Sequence, residues 1–352
     1  MKVCVVGAGA IGGYLGVRLT LAGEDVTLIA RGAHLEAIKR NGLKLVNRDG
    51  SEEVARLFRA TSSLRDLEPQ DIVILAVKAH QIAPIVGDLR RLFSPHTMVV
   101  TMQNGIPWWY FQRHGGAYEG YQIKAVDPEG VIGDAIEPER IIGCIAYPAA
   151  EISAPGVVRH IEGTRFPVGE LDGAETDRIR LVSDMFTRAG FKSPILPDIR
   201  SEIWLKAWGN LTFNPISALT HSTLVDICQY PLTRELAATM MTEAQDIALK
   251  LGITFRVPLE KRIAGAEKVG KHKTSMLQDV EAGKALETDA LLGAVVELGK
   301  LTQTPTPSLR AVYACVKLLA KTIDEEALFI KGRTAAPPAP AKDAPGKLSA
   351  TA

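Results

Sequence analysis

The chain has 352 residues, 46% of them hydrophobic, which is enough to fill two cores of ordinary domain size. Lysine plus arginine (41) balances aspartate plus glutamate (40), so no net field draws it toward nucleic acid or an anionic membrane, and a small-molecule ligand is the expected partner. Cys4, Cys144, Cys228 and Cys315 form no CxxC pair and the seven histidines show no ligand spacing, so neither a disulfide framework nor a metal site is expected, and reduced thiols in a cytoplasm fit.

The N-terminal run VCVVGAGAIGGYLGV is charge-free but crowded with glycines, and it leads straight into strand-like sequence, unlike a signal peptide. No other run approaches the roughly 20 apolar residues a membrane span needs. A soluble, cytoplasmic protein is expected. Residues 2–6 read as a β-branched strand, 10–22 as a helix and 25–30 as a second strand closed by Arg31. DIVILAVKA (71–79), a helix-like IAPIVGDLRRLF and TMVVTMQNG (97–105) follow. Strands apolar on both faces and joined by helices predict a mostly parallel sheet covered on two sides, an α/β architecture.

From 108 to 140 the pattern loosens into a segment rich in aromatics, glycine and charge, read as an irregular excursion beside the sheet. Sheet-like sequence resumes with IIGCIAYPA and continues through GVVRHIEGTRFPVG to about Gly169, and a helix is predicted over 174–189. A proline-marked boundary follows near Pro197. Beyond it only helices are predicted, at 201–219, 232–251, 257–266, 286–301 and 308–321. The expected division is 1–197 for the sheet domain and 198–332 for an all-α domain, with a disordered proline- and alanine-rich tail over 333–352.

Gly7, Ala8, Gly9, Ala10, Ile11 and Gly12 spell G-x-G-x-x-G directly after a strand and at the head of a helix. In that setting the glycines permit a tight turn, close backbone approach to a pyrophosphate and close helix–strand packing, and the helix N-terminus faces the phosphates. This predicts a Rossmann-type dinucleotide-binding domain. The second strand ends in Arg31, where a carboxylate would hold the ribose 2′-OH of NAD and an arginine can meet a 2′-phosphate, so NADP is favoured.

Among the helices, IWLKAWGNLTFNPI (203–216) is apolar nearly all round, yet Lys206, Asn210 and Asn214 fall four apart on one stripe. Such a stripe can be a solvated face. With two tryptophans on the same helix it reads better as the lining of a cleft, because burying these groups without partners costs a few kcal/mol each.

The spacing K-x₃-N-x₃-N-P in EIWLKAWGNLTFNP resembles the signature helix of ketopantoate reductases (2-dehydropantoate 2-reductases), and TSMLQDVEAGKALETDALLG (274–293) resembles that family's second signature. The likeness spans residues 1 to about 325. It implies an NADP(H)-dependent oxidoreductase, with a Rossmann domain followed by a helical domain, that reduces 2-dehydropantoate to (R)-pantoate on the way to pantothenate and coenzyme A.

Carried onto this sequence, the resemblance makes Lys206 the catalytic proton donor to the ketone oxygen. Asn210 and Asn214 would hold substrate oxygens, Ser275 would help bind the carboxylate, and Glu287 would sit near the ribose and nicotinamide. Lys78 and Asn104 would lie at the cofactor, Asn104 also reaching substrate, and Ala149 would give a backbone contact to the cofactor. The chemistry agrees, since hydride addition to a 2-oxo acid develops negative charge on oxygen that a cationic donor stabilises. Taken singly, Lys78 also reads as a surface lysine, Asn104 as part of a turn, Ser275 as a helix cap and Glu287 as a solvated charge.

The chain departs from the family in its long 108–140 segment, which could contact the substrate pocket or form an interface, and in Leu224, which stands where other members offer a polar substrate contact. The alternatives are a paralogue reducing another branched 2-oxo acid and a non-catalytic NADP-binding sensor. A homodimer is compatible with each.

Overall fold

The computed structural model describes residues 1–56 and 59–326, so the 333–352 tail lies outside the described residues. The chain begins with β1 (Lys2–Val6), α1 (Ala10–Leu21), β2 (Asp25–Ile29), α2 (Gly32–Asn41), β3 (Leu43–Val46), β4 (Glu52–Ala55), β5 (Arg59–Thr61) and β6 (Gln70–Leu75). It continues with α3 (Val86–Leu89), β7 (Phe93–Thr101), α4 (Val131–Ala135), β8 (Ile141–Cys144), β9 (Ala149–Ala154), β10 (Val157–Glu162), β11 (Val168–Gly169) and α5 (Asp177–Arg188).

The main sheet runs β11-β8-β7-β6-β1-β2-β5, parallel throughout except for β11. Val3 to Val6 and Ile72 to Leu75 are 1% exposed or less, as strands covered on both faces require. Strand order reverses between β1 and β6, and their C-terminal ends, followed by Gly7 and Ala76, form the crevice where such sheets bind ligands.

Four expectations are corrected. The stretch 156–169 does not continue the main sheet: β10 pairs with β3 and β9 in a second, four-stranded sheet, β4-β3-β10-β9, and only β11 rejoins the main one. Gly156 and Gly163, both in the left-handed region, turn the chain at either end of β10. The expected helix at 82–93 breaks into 3-10 turns around the four-residue α3, because Pro84 and Gly87 interrupt it. The helix α2 falls in a stretch where none was predicted.

The fourth correction concerns 108–140. Its backbone is irregular, as expected, but its start is core rather than an excursion: Trp108, Trp109, Tyr110 and Phe111 are all buried. Trp109 Nε1 donates to Thr101 Oγ1 at 2.9 Å, and Tyr110 Oη accepts from Trp204 Nε1 at 2.7 Å.

The helical region comprises α6 (Ile199–Thr220), α7 (Leu224–Gln229), α8 (Pro231–Lys250), α9 (Leu259–Lys268), α10 (Ser275–Glu281), a π-helical turn (Asp289–Gly293) leading into α11 (Ala294–Leu301), and α12 (Pro307–Glu326). Asp198 caps α6 by accepting from Ser201 N at 3.0 Å. The aromatic segment is pinned to this region. Glu297 accepts from Tyr121 Oη at 3.0 Å, Lys124 N at 2.9 Å and Ala125 N at 2.7 Å, and Arg200 donates to the carbonyls of Tyr110 and Gln112, each at 2.7 Å. No helix among the described residues is long and apolar enough to cross a membrane.

Because Glu297 satisfies two backbone amides and a phenol at once, Glu297→Ala should lower unfolding stability by about 2–3 kcal/mol, read as a shifted urea midpoint at unchanged slope. A midpoint within error of the parent would show that these bonds do not hold the segment.

Candidate active site

Gly7 follows β1 with φ +102°, and a Cβ there would stand 2.7 Å from Val77 Cγ1 and 3.0 Å from Ala76 O. At Gly12 a Cβ would be 1.9 Å from Gly7 O, so α1 can approach the turn only without a side chain. At Gly9 nothing lies within 4 Å. Two glycines of the fingerprint are therefore demanded by packing. Gly9 instead opens onto space in front of the first N–H groups of α1, whose first turn has no acidic residue to oppose an anion. Ala8, Ala10 and Ile11 complete the turn.

Gly7 N and Ala8 N both donate to Ile29 O, at 3.2 and 2.8 Å, tying the turn to the end of β2. Arg31 is the N-cap residue of α2 two positions later, exposed beside that turn. These residues fit a dinucleotide: Gly9 and the first N–H groups of α1 would hold its pyrophosphate, and Arg31 would supply a cation for a 2′-phosphate.

Across the crevice, α6 presents the stripe. Trp204 and Trp208 are fully buried, with their indole N–H groups bonded to Tyr110 Oη and Met241 O, each at 2.7 Å. Lys206 is half-buried and its Nζ donates to Ala146 O, just past β8. Burial pushes its pKa down to about 8, against the opposing pull of Glu287 and Cys144. Its Nζ also lies 5.9 Å from the centre of the Tyr147 ring.

Asn214 is buried and donates to Ser275 Oγ at 3.3 Å, so α6 and α10 bring those two expected substrate residues together. Asn210 is half-buried one turn from each of its stripe neighbours. Asn104, past β7, donates to Glu287 Oε2 at 3.4 Å. Burial raises the pKa of Glu287, opposed by the Lys78 charge and the Asn104 bond. Glu287 thus bonds to Asn104 and acts on Lys78 and Lys206 through its charge, a grouping that sequence reasoning had to place together by resemblance alone.

Lys78 is not a free surface lysine. Its Nζ donates to Asp279 Oδ2 and Ala285 O, each at 2.7 Å, across the crevice. Ala149 heads β9 in the second sheet, paired with Glu162, three residues past Ala146. Leu224 begins α7, half-buried, with its N–H donated to His272 O at 3.1 Å. The surface depressions at Arg18, Glu53 and His160 and at Trp108, Gln122 and Asp134 contain none of these residues, so the donor set rather than cavity size marks the site.

Three participants escaped sequence reasoning. Ala146 contributes only a carbonyl and leaves no side-chain signal. Asp279 stood inside the quoted SMLQD motif but without an assigned partner. Tyr147, in IAYPA, accepts no role until its ring is seen beside Lys206.

Comparison with known proteins covers both halves of the chain. Residues 3–173 match the family model described as Ketopantoate reductase PanE/ApbA, and 198–320 match its C-terminal counterpart. A 2-dehydropantoate 2-reductase of Mesorhizobium japonicum is 52% identical over 91% of this chain and 98% of the relative, and one from Pyrococcus horikoshii is 30% identical over 90% and 97%. Among solved structures, a candidate ketopantoate reductase from Ralstonia solanacearum superposes with a TM-score of 0.87 at 39% identity, covering 91% of this chain and 98% of that one. D-mandelate dehydrogenase with NADH, at 23% identity and a TM-score of 0.78, shares the fold. With sheet, crevice and helical region each matched in one continuous relationship, the chain belongs to the ketopantoate reductase family.

Proposed function

We propose that the protein reduces 2-dehydropantoate to (R)-pantoate with NADPH, taking the proton from Lys206. The observation that carries this reading is a half-buried lysine held near pKa 8, opposite a glycine turn open to a pyrophosphate. NADPH, when bound, supplies the hydride to the ketone carbon. Lys206 gives its proton to the ketone oxygen, so carbonyl becomes hydroxyl with charge balanced, and the ammonium stabilises the developing alkoxide beforehand.

Asn210, Asn214 and Ser275 would orient the acid's oxygens without adding a charge that competes with the lysine. Glu287 would hold Asn104 in register with both ligands, and Lys78 would close the crevice through Asp279. In this reading residues 1–197 carry the cofactor and the helical unit from 198 on carries the substrate. Relatives named 2-dehydropantoate 2-reductase support the substrate, and buried free thiols at Cys4, Cys144 and Cys228 support a reducing cytoplasm.

Assay of NADPH oxidation against a panel of 2-oxo acids should show a preference for ketopantoate, and Lys206→Ala should lower kcat by about two orders of magnitude or more. No ketopantoate preference sinks the substrate assignment, and near-normal turnover of the variant sinks the proton donor.

The pH dependence follows from the sign. A general acid must be protonated, so kcat/KM for reduction should hold below about 8 and fall roughly tenfold per pH unit above it. A profile flat to pH 10 would exclude Lys206 as the group that titrates.

Arg31→Ala should raise KM for NADPH by roughly tenfold to a hundredfold while leaving NADH nearly unchanged. Equal weakening of both cofactors would show that Arg31 does not read the 2′-phosphate.

A further inference from the structure

One cation beside the stripe has no assigned work. Arg262 lies on α9, half-buried. Other half-buried arginines are engaged: Arg165 with Glu202, Arg178 with Glu170, Arg234 with Glu260 and Glu267, and Arg200 with three backbone carbonyls. Arg262 has neither an ion pair nor a side-chain hydrogen bond among the described residues, and burial holds its pKa below the usual arginine value with only Tyr147 opposing. A half-buried guanidinium with no protein partner is available to an anion.

Its position is specific. A Cβ built on Gly209 would stand 2.1 Å from Arg262 Nη2 and 3.0 Å from its Cζ, so the guanidinium rests on the bare backbone of α6 at that glycine. Gly209 directly precedes Asn210 and follows Lys206 by three residues, less than one turn. Phe255 stacks on Trp208 with ring centres 4.1 Å apart, fixing the α8–α9 connection against the same part of α6. Tyr147 is a neighbour of both Lys206 and Arg262.

The chemistry of the site lacks what Arg262 offers. A 2-oxo acid carries a permanent carboxylate, whereas Asn210, Asn214 and Ser275 are neutral. Lys206 is the one cation on the stripe, and it is committed to the ketone oxygen and loses its proton at every turnover. An arginine stays charged throughout and presents a fork matched to two carboxylate oxygens. We propose that Arg262 binds the carboxylate of the 2-oxo acid substrate, reaching it across Gly209. This rests on the reading of the site as that of a 2-oxo acid reductase.

The test compares wild type, Arg262→Met, Arg262→Lys and Gly209→Ala in steady-state reduction of ketopantoate and of its uncharged methyl ester, with NADPH affinity and melting temperature measured alongside. Arg262→Met should raise KM for the acid roughly tenfold to a hundredfold, leave KM for NADPH unchanged, and lower the acid-over-ester preference in kcat/KM by a similar factor. Arg262→Lys should restore part of that preference. Gly209→Ala, which displaces the guanidinium without removing it, should shift the preference in the same direction as Arg262→Met.

An acid-over-ester ratio equal to wild type in a folded Arg262→Met overturns the proposal. Should that variant not fold, a wild-type ratio in both Arg262→Lys and Gly209→Ala overturns it instead. Failure of wild type on ketopantoate but not on another 2-oxo acid overturns the substrate assignment alone, and the Arg262 comparison is then read on that acid and its ester. Failure on every 2-oxo acid overturns both.

Discussion

The structure turns on keeping one amine out of water. Lys206 sits on a helix whose other faces are committed to packing, with Trp204 and Trp208 fully buried and even their indole N–H groups spoken for. What remains of α6 is a narrow polar strip facing the crevice. Desolvation there pushes the ammonium toward neutrality, Glu287 and Cys144 oppose it, and the Ala146 carbonyl accepts a hydrogen bond from the amine. A lysine fully in water would hold its proton too tightly to release it readily near neutral pH, and one buried with no opposing negative charge would carry it less often. Stability is given up for this, since a protonated amine in that position destabilises the folded state at neutral pH.

That arrangement needs the sheet and helical regions to meet in one register, and the bonds crossing between them do so at several points around Lys206. Lys78 reaches Asp279 and Ala285 on one side, and Asn104 reaches Glu287 on another. Directly after Asn104, Gly105 packs so closely that a Cβ would be 2.1 Å from Ala290 O, and Ile106 N donates to that same carbonyl at 2.9 Å. Gly105 has φ +87°, so the close approach and the turn both require glycine there. The π-helical turn at Asp289–Gly293, in which hydrogen bonds reach one residue further than in an α-helix, is where that carbonyl is presented.

The parts of this design that were legible in sequence are those whose constraint is local. Gly7 and Gly12 are dictated by contacts within a few residues and the adjoining strand end, and Lys206, Asn210 and Asn214 are related by helical period alone. The second sheet was not legible, because β3, β4 and β10 are short and partly exposed, and Lys44 finds Val157 across more than a hundred residues. Ala146 could not be found either, since any residue has a carbonyl. Lys78 and Glu287 carried equally plausible surface readings until their partners, Asp279 and Asn104, were seen across the crevice.

The aromatic segment shows how composition can mislead about purpose. Tryptophans and tyrosines next to Asn104 suggested a substrate wall or an interface, yet Trp109 and Tyr110 spend their polar tips on Thr101 and Trp204, and Tyr121 on Glu297. Groups so engaged have little left to offer a ligand. Their effect on the reaction is indirect: by packing one segment against β7, α6 and α11 together, they set how far Asn104 stands from Lys206. Discrimination among 2-oxo acids then falls to the helical side, chiefly to Arg262, which has no ion pair or side-chain hydrogen bond among the described residues. There a guanidinium would hold the charge of the acid.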